Sequence, residues 1–184
     1  NTSLTSLDGL PCISSLEGTL AVNRNTSLLD LDGLSCISTV DGELSISDNA
    51  DLSSVDGLSN ITSVRDNLTI ELDPSLTSLA GLSSVTHVGG ILAIEYLDSL
   101  RYNSALTTLE GLSLLESVEG DLRIHSNNAL NSLGGLAVLG AVGEDLLVRN
   151  NACLDPAEAE EFAASVDVGG ETTVENNGVN YPCD

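Results

Sequence analysis

The sequence holds no lysine, no Met and no Trp, and its only aromatic residues are three Tyr and one Phe. Five arginines face 28 acidic residues, for a formal charge of −23. So few cations exclude a basic face of the size that nucleic acid requires. They exclude a basic membrane-surface helix for the same reason. No apolar run reaches the ~18 to 20 residues of a spanning helix, so membrane insertion is not expected. A core that leans on large aromatic area is ruled out as well. The core has to come from Leu, Ile and Val. Disorder does not fit, because 41% of the residues are hydrophobic and the mean hydropathy is +0.17. A length of 184 residues suggests one domain. With no Met and a start in mid-pattern, the chain is expected to be a piece of a longer precursor, any signal peptide already removed.

What is present is a repeat, and it outranks every other signal. Leu4, Leu28, Leu52, Leu76, Leu106, Leu130 and Leu154 start successive units, spaced 24, 24, 24, 30, 24 and 24 residues apart. Each unit follows the frame L-x-x-L-x-G-L-x-x-I-x-x-V-x-G-x-L-x-I-x-x-N-x-x. Leu28, Leu31, Gly33, Leu34, Ile37, Val40, Gly42, Leu44, Ile46 and Asn49 fill it completely. The G-x-L-x-I-x segment alternates apolar and polar residues, as a half-buried strand does. The preceding apolar residues fall every third position, which suits a coil turning around a core, with glycines supplying unusual backbone angles at its corners. Stacked coils set each strand ~4.8 Å from its copy in parallel register. No coil can bury its apolar face alone, so stability comes from its neighbours. The Asn at the strand end (Asn25, Asn49, Asn127 and Asn151, with Asp73 once) predicts an inward amide ladder. The hydroxyls of Ser6, Ser54, Ser78, Thr108 and Ser132 share one position and are expected to bond backbone in the same way.

The segment L-x-I-x-x-N-x-x-L is similar to the leucine-rich repeat, with one extra residue after the Asn. The whole 24-residue unit resembles the receptor L-domain type over about residues 1 to 155. That resemblance implies an all-β, right-handed parallel β-helix-type solenoid, here of about seven 24-residue coils. It also implies a place in extracellular receptor regions, fungal cell-wall proteins or bacterial surface proteins. Members bind ligands or serve structurally and as a group are not enzymes. The motif residues are scaffold, so no functional residue carries over.

The repeat solenoid is expected over 1–155 and a C-terminal cap over 156–184. Asp155 and Pro156 read as an N-cap and first helical residue, Ala157 to Ser165 as a helix with Phe162 inward, and Glu171 to Val174 as a last strand. The N-terminal end shows no matching cap, so more sequence, a partner or a second copy of the chain is expected to cover it. Cys12 and Cys36 occupy the same repeat position on adjacent coils, inside the ~4.4 to 6.8 Å window of a disulfide. Cys153 and Cys183 bracket the cap and are expected to staple it. Two bridges point to an oxidising compartment, hence a secreted or cell-surface protein. Of the four sequons, Asn60 and Asn67 (read as outward on a strand) are the candidate glycosylation sites.

Acidic residues also form columns. Asp8, Asp32 and Asp56 precede the first glycine of their units, and carboxylates ~5 Å apart are weak candidates for Ca²⁺. No other cofactor is indicated. The fourth unit carries the one insertion, with eight residues between Ile94 and Asn103 instead of two. It brings Glu95, Tyr96, Arg101 and Tyr102, and the neighbouring coils add Arg123, His125 and Arg149 on the same side. Insertions in solenoids map to one face, often the binding face, and exposed Tyr and Arg favour recognition. These seven residues are the candidate binding set. His87 and His125 show no nucleophile constellation in the sequence. The expected function is therefore non-enzymatic binding or adhesion to a protein or glycan. A structural subunit of a wall, surface layer or filament is the alternative, and a polysaccharide-acting β-helix enzyme a remote one.

Overall fold

The computed structural model describes residues 1–95, 105–178 and 183. Two seven-stranded parallel sheets run along a solenoid. One sheet is built from the four-residue strands Leu20–Asn23, Leu44–Ser47, Leu68–Glu71, Leu92–Glu95, Leu122–His125, Leu146–Arg149 and Thr172–Glu175. The other consists of two-residue strands, Ser15–Leu16 through Asp167–Val168. Between them each coil from the second to the sixth makes a short 3-10 turn, such as Asp56–Leu58 or Glu110–Leu112. The every-third apolar spacing therefore serves a 3-10 turn, whose three-residue period puts its apolar residues on one side.

Register follows the repeat. Leu44 pairs with Leu68 and Ile46 with Ile70, one period apart. Leu92 still pairs with Leu122 and Glu95 with His125 across the 30-residue unit. The strands on either side of the insertion thus keep the register of the repeat. Slipping a strand by one residue would turn its Leu and Ile columns outward. Those columns are fully buried from Leu28 to Leu154, with Leu52, Ile70, Leu92 and Ile124 at 0% exposure. Leu10 and Ile13 of the first coil are exposed.

The amide ladder is present. Asn49 Nδ2 donates to the Val22 carbonyl at 2.8 Å, and Asn151 Nδ2 to the Ile124 carbonyl at 2.9 Å. The Asn25 N–H donates to Asn49 Oδ1, and the Asn127 N–H to Asn151 Oδ1. Asn177 continues it as a further rung, accepting the Asn151 N–H at 3.1 Å. The hydroxyl column bonds backbone as expected, within each coil rather than from coil to coil. Ser54 and Ser78 accept the N–H two residues on, at Asp56 and Ala80, and so open the 3-10 turn of their own coil.

The glycines are also there for another reason than expected. Positive φ falls on Gly9 and Gly178 and, among non-glycine residues, on Arg24, Asp48, Leu72, Ser126, Asn150 and Asn176, each of these six just before a ladder rung. From Gly33 to Gly135 the first glycine of each coil instead permits close approach, whereas Gly9 has positive φ. A Cβ on Gly81 would stand 1.8 Å from the Val55 carbonyl oxygen, and on Gly111 1.8 Å from that of Leu79.

Both disulfides form as expected, Cys12–Cys36 with Cα atoms 5.3 Å apart and Cys153–Cys183 at 5.4 Å. They fit an oxidising compartment. The helix α1 spans Pro156–Ser165, and the Asp155 side chain accepts from the Ala157 N–H. It buries Ala159 and Phe162 over the last coil. Glu158 Oε1 takes the Ser132 hydroxyl at 2.9 Å and the Leu133 N–H at 2.6 Å. Among the described residues no helix is long and apolar enough to cross a membrane.

Candidate functional site

Each four-residue strand points its second and fourth residues outward. Parallel register stacks these into two columns. The first reads Ala93, Arg123, Leu147, Thr173, and the second Glu95, His125, Arg149, Glu175. The residue before the strand adds Asp121, Asp145 and Glu171. That third position carries a ladder of its own. Asp121 Oδ1 accepts the Asp145 N–H at 3.0 Å, and Asp145 Oδ1 the Glu171 N–H at 2.8 Å. The carboxylates there are held by backbone donors, which the sequence pattern alone does not show.

These columns enclose a cavity of about 290 Å³. Arg123 and Arg149 line it, with Glu95 and Asp121 at one side, Asp145 and Glu171 at the other, and Leu147 between. Arg123 Nη2 lies 2.6 Å from Asp121 Oδ2, and Nη1 lies 3.9 Å from Glu95 Oε1. Burial alone would raise the Asp121 carboxyl. The Asp145 N–H and the Arg123 guanidinium outweigh it and hold the group below the usual carboxylate range. Glu95 is 5% exposed at its side chain. Burial pushes it up, and Arg123 only partly offsets that.

Arg149 is different. Its nearest acid, Glu175, stands at 3.7 Å, too far for a hydrogen bond. Its Nε is buried without a partner among the described residues. Asn150 Nδ2 approaches His125 Nε2 at 2.9 Å. The His125 Nδ1 is buried without a hydrogen-bond partner among the described residues. Burial first, and then the Arg149 charge, hold His125 below its ordinary range.

Of the seven expected binding residues, Glu95, Arg123, His125 and Arg149 are thus gathered on one face. Tyr96, Arg101 and Tyr102 lie outside the described residues. Asp8, Asp32 and Asp56 stay an exposed column at the turns. Among the described residues no three His, Cys, Asp or Glu side chains come together as a metal would need, so the Ca²⁺ expectation finds no site there. Asn60 is exposed, and its Nδ2 donates to the Ser35 carbonyl at 2.7 Å. Asn67 is half-buried just before its strand rather than outward on it, and its Oδ1 holds the Ile91 N–H at 2.8 Å.

One constellation was not read from the sequence. His87 pairs in register with Ser117, and its Nδ1 lies 2.8 Å from the Ser117 Oγ. Its Nε2 lies 3.4 Å from Glu119 Oε1. The shared repeat position of His87 and Ser117 was the available signal. The order serine, imidazole, carboxylate has the form of an activated nucleophile. The nearby Gly89 and Glu119 N–H groups, which could serve an oxyanion, already bond the Val64 and Val88 carbonyls. The three side chains form a surface cluster with one hydrogen bond, between His87 and Ser117.

No family model matches the chain, and neither the curated proteins nor the solved structures contain a significant match to it.

Proposed function

We propose that the chain is an extracellular, non-enzymatic binding domain of receptor L-domain type, a right-handed solenoid of about seven coils. Its partner, a protein or a glycan, docks on the outward face at Glu95, Arg123, His125 and Arg149. The observation that carries this reading is Arg149. It is a guanidinium with no hydrogen bond among the described residues, on the wall of a cavity, in a chain that has only five arginines. Five donors in a rigid fork are suited to recognition, and Arg is enriched among the residues that dominate interfaces. The two disulfides support an oxidising, extracellular setting. The occupied N–H groups around His87 favour a binding role over a catalytic one.

The test compares the protein with its Arg123→Ala/Arg149→Ala double variant on arrays of purified glycans and extracellular proteins. A partner bound by the first and lost by the second, with melting temperature unchanged, supports the reading. A partner bound equally by both overturns the assigned face.

A further inference from the structure

We infer that the cavity between Arg149 and Glu171 takes a short zwitterionic ligand of amino-acid to dipeptide size, its carboxylate on the guanidinium and its ammonium on the Glu171 carboxylate. This rests on the face proposed above and names the chemistry of what fills it.

Hydrogen-bond accounting comes first. Arg149 offers five N–H donors, and among the described residues none is hydrogen-bonded. Glu171 is exposed, and its carboxylate has no hydrogen-bond or ion-pair partner among the described residues. Both groups line the same cavity, yet they do not pair with each other. A guanidinium without a hydrogen bond, its ion-pair partner Glu175 at 3.7 Å, and an unpaired carboxylate face one space and are the complement of a ligand that carries both signs.

The other charges in the cavity are committed to its walls. Arg123 is held by Asp121 at 2.6 Å. Asp145 Oδ1 accepts the Glu171 N–H at 2.8 Å. Arg149 ends one strand, while Glu171 lies just before the start of the strand paired with it. Four residues of strand, ~13 Å of backbone, therefore separate the two ends, and both side chains reach into that span. Leu147 and Thr173 lie between them and give the middle an apolar and a hydroxyl surface. The volume of about 290 Å³ sits at the lower end of the roughly 300–1,000 Å³ of small-ligand pockets.

The charge of the whole chain selects among small ligands. At −23 it repels a simple anion before contact. A bare carboxylate therefore pays for its approach, whereas a zwitterion has no net charge. Bidentate pairing of a carboxylate with a guanidinium then supplies direction.

The experiment is titration calorimetry on the intact protein with an alanyl-leucine dipeptide, its N-acetylated form and its C-amidated form. The free dipeptide is expected to bind, and blocking either end to weaken it at least tenfold. Arg149→Gln should remove the preference for a free carboxylate, and Glu171→Gln that for a free ammonium. Equal binding of the N-acetylated and free forms would overturn the inference. So would an absence of binding by all three at millimolar concentration. The same Arg149→Gln variant is also measured against the partner found on the arrays. Loss of that partner without any dipeptide binding leaves the face standing and removes the zwitterion. If neither measurement responds to the variant, both readings fall.

Discussion

Asp73 Oδ1 accepts the backbone N–H of Asn49 at 2.8 Å and its side-chain amide at 3.1 Å, so a carboxyl group serves as one rung in a ladder of amides. In the Asn rungs the second side-chain atom is nitrogen, and it donates to a strand carbonyl of the preceding coil. A carboxyl oxygen can fill that role only with a proton on it. Burial pushes the Asp73 carboxyl up to about 7, the Asp48 and Glu71 charges add to this, and the Asn49 hydrogen bonds oppose it.

The consequence is a pH dependence with a definite sign. Between the ordinary 3.8 and about 7 the folded chain keeps a proton that the unfolded chain has released. Stability is therefore full below that window, falls as pH rises through it, and levels off above. The ceiling on this loss is roughly 4 kcal/mol. Asp73→Asn restores the amide. It should melt several degrees higher at pH 8 and nearly together with the parent at pH 4. A variant less stable than the parent at pH 8 would remove the proton from the ladder. Burial also raises Glu71 and Glu95, so a weaker slope of the same sign remains in the variant.

The glycines separate into two kinds. Gly81→Ala sets a Cβ 1.8 Å from the Val55 oxygen, and two backbones must part to admit it. Urea unfolding should show a loss of about 3 kcal/mol or more. Gly140→Ala meets nothing nearer than 3.8 Å and should stay within about 0.5 kcal/mol. Similar losses at both sites would refute close approach as the reason for the repeat glycines.

Disulfide removal should act locally. Each bridge closes a loop of 24 or 30 residues, worth about 3 kcal/mol in the chain-entropy account. In a solenoid a coil contacts only its neighbours. Replacing Cys12 and Cys36 with Ser should speed hydrogen exchange at Leu20–Asn23 and leave Leu122–His125 protected. Uniform acceleration along the chain would contradict this.

Arg149 and His125 report on each other. Burial is the larger cause holding the imidazole low, and the Arg149 charge adds to it. In Arg149→Gln the His125 titration, followed by NMR, should move upward yet stay below its ordinary 6.5, because burial persists. An unmoved titration would mean that the guanidinium does not act on the ring.

The columns were legible because repetition makes them so. Leu28 and Leu52 are equivalent by count, and stacking then buries both. Cys12 and Cys36 follow from the same counting, as does the Asn49 rung. The Asp155 cap is a local signal that needs no fold at all. Asn177 escaped because the cap shifts the spacing to 26 residues. His87 and Ser117 shared a position, but only side-chain direction shows that Glu119 stands at the other ring nitrogen of His87.

The sequence by itself determined the period, the inward faces, the disulfide pairs and the excess of negative charge, because each depends only on which residues recur at which interval. The tertiary structure decided what lies across the coils. It placed left-handed turns on Arg24 and Leu72 just before the ladder rungs, gave the glycines from Gly33 to Gly135 to backbone contact, tied Asp121 to a neighbouring N–H, and left Arg149 without a hydrogen-bonded acceptor among the described residues. Those outcomes depend on contacts of a few ångströms between separate coils, and an interval in sequence does not encode them.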